Sequence, residues 1–153
     1  MDAEVYPSSP IQRYVQEHFV PVRVHVKEQP EPFRTLGDRY DAHWTPTTLV
    51  LDDAGEERHR IEGFLPGDDF LAQLALGVAK AAFSHGQFEE AEEGFQNVVT
   101  RHHDTDAAAE AQYWAGVARY KATGDAKALA DTARSFRDRY AGTSWAKKAS
   151  VWG

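Results

Sequence analysis

The chain has 153 residues, enough for one ordinary domain or two small ones packed together, with 42% hydrophobic and 27% charged residues, the profile of a folded globular protein. A formal charge of −7 argues against binding to phosphate backbones, which needs clustered Lys and Arg, so no nucleic-acid partner is expected. The chain contains no cysteine, which excludes disulfides, thiolate metal sites and cysteine nucleophiles in this polypeptide at one stroke. No run of about 18 apolar residues is present, so no membrane span is expected. The start, Met1-Asp2-Ala3-Glu4, is acidic and lacks the basic-then-apolar pattern of a secretion signal; the expected setting is cytoplasmic.

In chain order, residues 10–18 read as a helix. Ile11, Tyr14, Val15 and His18 share one face, Ser8 or Ser9 can cap it, and Pro10 suits the first helical position. Residues 19–27 read as a strand, because Val20, Val22, Val24 and Val26 alternate with Pro21, Arg23, His25 and Lys27. Pro21 cannot donate to a ladder and places that end at a sheet edge. Residues 28–32 form a turn-rich link, and 33–40 a short helix weakened by Gly37. Residues 47–51 and 58–62 read as two strands joined by the turn Asp52-Asp53-Ala54-Gly55, with Gly55 supplying a positive φ. Gly63 and Pro66 open another helix. Asp68 and Asp69 lie at its positive end, and Phe70, Leu71 and Leu74 give it an inner face.

This order, with Trp44-Thr45-Pro46-Thr47 leading into a strand, the hairpin turn and Gly63-Phe64-Leu65-Pro66 behind it, resembles the thioredoxin-like family from its first active-site helix onward. The resemblance covers residues 1–76. It implies a cis bond before Pro46 and a loop at Trp44, Thr45 and Pro46 that binds an extended peptide. The same three residues have a plainer reading, in which Pro46 only shapes the loop and Trp44 fills the core. The resemblance also implies a Cys-x-x-Cys pair just before Met1, preceded by a central strand, and the sequence has neither. The gap has three outcomes: the neighbouring strands close on each other, another chain donates the strand, or the product begins upstream. Unpaired backbone on such an edge needs a partner.

From residue 71 to residue 152 the chain reads as successive helices. The breaks fall at Gly86, Asp104-Thr105-Asp106, Gly124-Asp125 and Gly142-Thr143-Ser144. Apolar residues recur at helical spacing: Phe88, Ala91, Phe95, Val98 and Val99; then Ala111, Trp114, Ala115 and Ala118; then Leu129, Ala133, Phe136 and Tyr140. Residues 98–114 align without gaps on residues 136–152, an offset of 38, matching Arg101 with Arg139, Thr105 with Thr143, Ala111 with Ala149 and Trp114 with Trp152. A period of this length signals stacked helix pairs. The unit built on Ala79, Ala82, Gly86, Phe88, Ala91 and Phe95 resembles a tetratricopeptide repeat, and the second unit matches it more loosely.

Remaining polar clusters have ordinary explanations. Adjacent His102 and His103 point in different directions and chelate poorly, so no metal site is expected. The acidic run Glu89, Glu90, Glu92 and Glu93 opposes Phe88 and Phe95 and reads as a solvated face. No serine elbow, Gly-rich phosphate loop or zinc-protease motif occurs. No catalytic residue and no cofactor is expected.

The fold class expected is therefore α/β: an incomplete thioredoxin-like sheet with flanking helices over residues 1–76, followed by an α-helical, tetratricopeptide-like hairpin tail over residues 77–153. The expected role is a non-catalytic module that binds a protein or peptide partner, with a homodimer through an exposed strand edge as a further possibility. The alternative is the C-terminal portion of a thiol–disulfide oxidoreductase whose Cys-x-x-Cys lies upstream.

Overall fold

A computed structural model describes residues 9–153. The chain divides into two compact units, one up to Gly67 and the other from Asp68 onward.

The first unit holds helices α1 (Ser9–His18) and α2 (Pro30–Tyr40) and strands β1 (Thr47–Leu51) and β2 (Glu57–Glu62). Helix α1 buries Ile11, at 2% exposure, and sets Tyr14 against the rings of His18 and Phe19. The cap expected at Ser8 lies outside the described residues. Helix α2 starts three residues before its sequence reading. Pro30 sits in its first turn, where a missing N–H costs nothing, so the prolines open the helix instead of preceding it. Gly37 is buried there because a Cβ would meet the Ala42 carbonyl oxygen at 3.1 Å and His43 Nδ1 at 3.2 Å.

Strands β1 and β2 form an antiparallel pair with Thr47 opposite Glu62, Leu49 opposite Arg60 and Val50 opposite His59; a bulge follows Val50. Val50 and Ile61, each 4% exposed, mark the inner face. Asp52 builds the turn: Oδ1 accepts from the N–H groups of Ala54 (3.0 Å) and Glu56 (2.8 Å), and Oδ2 from Arg58 Nε (2.8 Å). Gly55 closes it at φ 77°. Arg60 ties the hairpin to α2. Its guanidinium donates to the carbonyls of Tyr40 and Asp41 at the end of that helix, while Glu57 and Glu62 accept from it on the other side. Those carboxylates hold Arg60 protonated well above the ordinary arginine range.

The strand expected over residues 19–27 does not form. Residues 19–25 have no regular structure and 26–28 make a turn, with Val20 92% and Val22 81% exposed. Alternation specifies two faces but does not supply a neighbour. A lone strand leaves its N–H and C=O groups unpaired, and the sheet among the described residues consists of β1 and β2.

The second unit is helical: α3 (Gly67–Ser84), α4 (Phe88–Arg101), α5 (Asp106–Thr123), α6 (Lys127–Arg139) and α7 (Ser144–Ala149), with a last 3₁₀ turn at Ser150–Trp152. The turns fall at the expected breaks. Gly86 and Gly124 take φ values of 77° and 71°, which let the chain reverse after α3 and α5. The core joins Leu76 and Ala79 of α3, Ala91, Phe95 and Val98 of α4, and Ala107, Ala111, Ala115 and Ala118 of α5. Small residues bring the axes close. A Cβ on Gly94 would lie 2.9 Å from Ala79 Cβ, and one on Gly116 only 2.0 Å from Thr132 Oγ1. A second cluster gathers Ala109, Phe136 and Ala149, with Tyr113 stacked on Trp152 at 4.7 Å.

The 38-residue repeat is also a repeat of structure. Residues His102 and Tyr140 end α4 and α6 with nearly the same geometry (φ/ψ −127/38° and −130/29°). Thr105 and Thr143 then start α5 and α7 in extended conformation, and each hydroxyl donates to the carbonyl three residues back, at 2.7 and 2.8 Å. Val98 and Phe136, paired by the repeat, are both fully buried.

Candidate functional site

The loop between α2 and β1 combines apolar side chains with unengaged backbone. The Thr45–Pro46 peptide bond is cis. Thr47 Oγ1 donates to the Trp44 carbonyl at 2.7 Å, and the Gly63 N–H donates to the Pro46 carbonyl at 2.8 Å. These two bonds fix the loop at the open end of the hairpin, since Thr47 and Glu62 are its last cross-strand pair. Thr45 lies between them and makes no backbone hydrogen bond among the described residues.

All three residues singled out from the sequence are exposed: Trp44, at 73%, together with Thr45 and Pro46. The reading in which Trp44 fills the core is therefore wrong. An indole buries poorly on the rim of a two-stranded sheet. Sequence reasoning missed Phe64 as a member of this site. The bond from Gly63 brings the backbone beside Phe64 to Pro46, and Phe64 is itself 52% exposed. The signal was present in Gly63, whose φ of 83° turns the chain there. Trp44, Pro46 and Phe64 thus give an apolar rim around a free peptide unit at Thr45. Chemically, such a rim can hold an extended chain.

The match to a family model decides where this loop belongs: the thioredoxin-like domain model covers residues 1–77. The chain belongs to the thioredoxin-like family. No curated protein and no solved structure shows significant similarity to it. The thioredoxin-like assignment covers the loop and all of the first unit. The two-stranded sheet with its flanking helices is an incomplete version of that family's sheet, followed by a helical C-terminal region. Among the described residues no helix is long and apolar enough to cross a membrane.

In the helical unit, a cleft of about 310 Å³ opens between α4, α5 and α6, lined by Glu92, Gln96, Arg119, Asp131 and Ser135 around Gly116. The Lys127 ammonium, 2.6 Å from Asp131, holds that carboxyl below its ordinary range. His102 and His103 do not converge: His102 Nδ1 faces Asp68 Oδ1 at 2.9 Å and His103 Nδ1 faces Asp104 Oδ1 at 2.8 Å.

Proposed function

We propose that this chain is a non-catalytic protein-interaction module, with a thioredoxin-like part over residues 1–76 and a tetratricopeptide-like part over residues 77–153. One observation carries the reading. Trp44, Thr45, Pro46 and Phe64 form an exposed rim with an unengaged peptide unit, in a chain that has no cysteine to perform thiol chemistry there. A free backbone donor and acceptor beside a proline suit strand-like pairing with an extended peptide, and the flanking rings suit its apolar side chains. The helical cleft offers a second contact surface for a protein segment. A cytoplasmic setting belongs to the same reading.

The test is selection of extended peptides on the intact chain, followed by affinity measurement on Trp44→Ala, Phe64→Ala and Pro46→Ala. Loss of a buried aromatic contact weakens binding by about tenfold or more. Selected peptides that bind all three folded variants as tightly as the parent would reject the site. In an insulin-reduction assay the chain should give no turnover, and reproducible turnover would reject the claim of catalytic silence.

Family membership favours one alternative, a longer product that is a thiol–disulfide oxidoreductase. An in-frame strand and Cys-x-x-Cys encoded upstream of Met1 would decide for it.

A further inference from the structure

The repeat that orders the helical unit also locates an open face on it. At the offset of 38 residues, Ala109 falls on Lys147, Gln112 on Ser150 and Tyr113 on Val151. In the first period the hairpin that follows covers these positions. Ala109 is 5% exposed and packs with Phe136 of α6 and Ala149 of α7, and the Tyr113 ring lies 5.2 Å from that of Trp145 and 4.7 Å from that of Trp152. One period on, the same positions are open. Val151 is 79% exposed, and Lys147 and Ser150 are exposed with it. Stacked helix pairs gain their core from their neighbours, so a face of this kind is one that another helix completes.

The charge around Val151 selects the helix. Lys147 and Lys148 precede it by four and three positions, so both flank it on one face. From Arg139 to Gly153 there is no Asp or Glu, in a chain whose net charge is −7. Neither lysine has an ion pair among the described residues; the Lys148 ammonium rests over the Trp145 ring at 3.7 Å. A second copy fits badly. The same face on itself would set lysines against lysines, and the exposed glutamates of α4 come without that helix's apolar side, because Ala91, Phe95 and Val98 are spent in their own core.

We infer that the face formed by Lys147, Lys148 and Val151 docks an acidic amphipathic helix of another protein, which lies where a following hairpin would and pairs its carboxylates with the two lysines. The inference goes beyond the rim at Thr45 and does not depend on it.

The chain supplies its own probe. Residues 87–101, taken as a free peptide with blocked ends, carry four glutamates against one arginine and an apolar face of Phe88, Ala91, Phe95, Val98 and Val99. Fluorescence anisotropy of this labelled peptide, titrated with the intact chain at low salt, should show saturable binding. A Lys147→Glu/Lys148→Glu double variant should weaken it by about tenfold or more, and Val151→Asp by a similar factor. These residues are exposed, so circular dichroism should show both variants folded. Trp44→Ala should bind the peptide unchanged, which separates this face from the rim. A peptide with its glutamates replaced by lysines should not bind. The inference is overturned by no binding up to about 1 mM, by equal binding to the double variant or to Val151→Asp, or by equal binding of the lysine peptide. It is also overturned if sedimentation equilibrium shows a dimer of the parent chain that Val151→Asp abolishes, since the occupant would then be a second copy.

Discussion

Replacing Gly116 by Ala tests whether the α5–α6 crossing is as close as its geometry requires. The added methyl would sit 2.0 Å from Thr132 Oγ1 and 2.8 Å from both Thr132 Cβ and Cγ2. Ordinary contact begins near 3.4 Å, so α6 must move outward or Thr132 must leave its rotamer and its 2.8 Å bond to the Ala128 carbonyl. Overpacking of this kind costs about 1–3 kcal/mol, and a Cβ this close belongs at the upper end. Against it stands the better helix propensity of Ala, about 1 kcal/mol. The net expectation is a loss of about 2 kcal/mol, which for a helical unit of this size lowers Tm by roughly 8–16 °C. Thermal and urea unfolding followed by far-ultraviolet circular dichroism measure it. Adding Thr132→Ala removes two of the three clashing atoms and should recover about half of the loss, a coupling that distant sites do not show. Gly142→Ala, with nothing within 4 Å of its Cβ, is the control and should be neutral. A Gly116→Ala chain as stable as the parent, or one that Thr132→Ala does not help, would refute the close-crossing argument.

Three other expectations concern stability. Arg60→Met strips the carbonyls of Tyr40 and Asp41 of their donor and leaves Glu57 unpaired; it should cost about 2 kcal/mol in urea unfolding, with the loss placed at α2 and the hairpin by hydrogen exchange. Thr143→Ala removes the side-chain oxygen that accepts from the Ala146 N–H at 3.1 Å and should cost about 1 kcal/mol, read as a shift in Tm; Thr105→Ala, whose hydroxyl makes no such cap bond, should cost less. Burial pushes the Tyr14 hydroxyl up to about 12. A folded-state value above the unfolded one means that the unfolded chain ionises first. Stability should therefore be intact below pH 10 and fall between pH 10 and 12, by roughly 1 kcal/mol after allowance for partial exposure. Tyr14→Phe should flatten that slope in a series of urea titrations, and an unchanged slope would place its origin elsewhere.

What the sequence disclosed depended on how local the determining physics was. Helix breaks were readable because Gly86 and Gly124 are needed for positive φ within one turn of chain. The hairpin was readable because Asp52 and Gly55 act within four residues. The repeat was readable because burial of Val98 and Phe136 recurs with the turns around it. Residues 19–27 misled because a strand needs an adjacent edge, and side-chain alternation carries no information about one. At the candidate site, Trp44, Thr45 and Pro46 stood out as a motif. Phe64 did not, because only the fold carries its neighbour Gly63 across to Pro46. The tight approach of Gly116 to Thr132 was hidden for the same reason: a glycine in a helix signals either weakness or contact, and only the opposing residue tells which.

The matched corners at Thr105 and Thr143 make the helical half extensible by design. Each corner is wired by its own hydroxyl and by the carbonyl three positions earlier, so that bond is closed within the corner itself. A gene segment spanning one period could be copied in tandem between the two threonines, and the helical unit would grow by one hairpin whose corner is closed by the same hydroxyl bond.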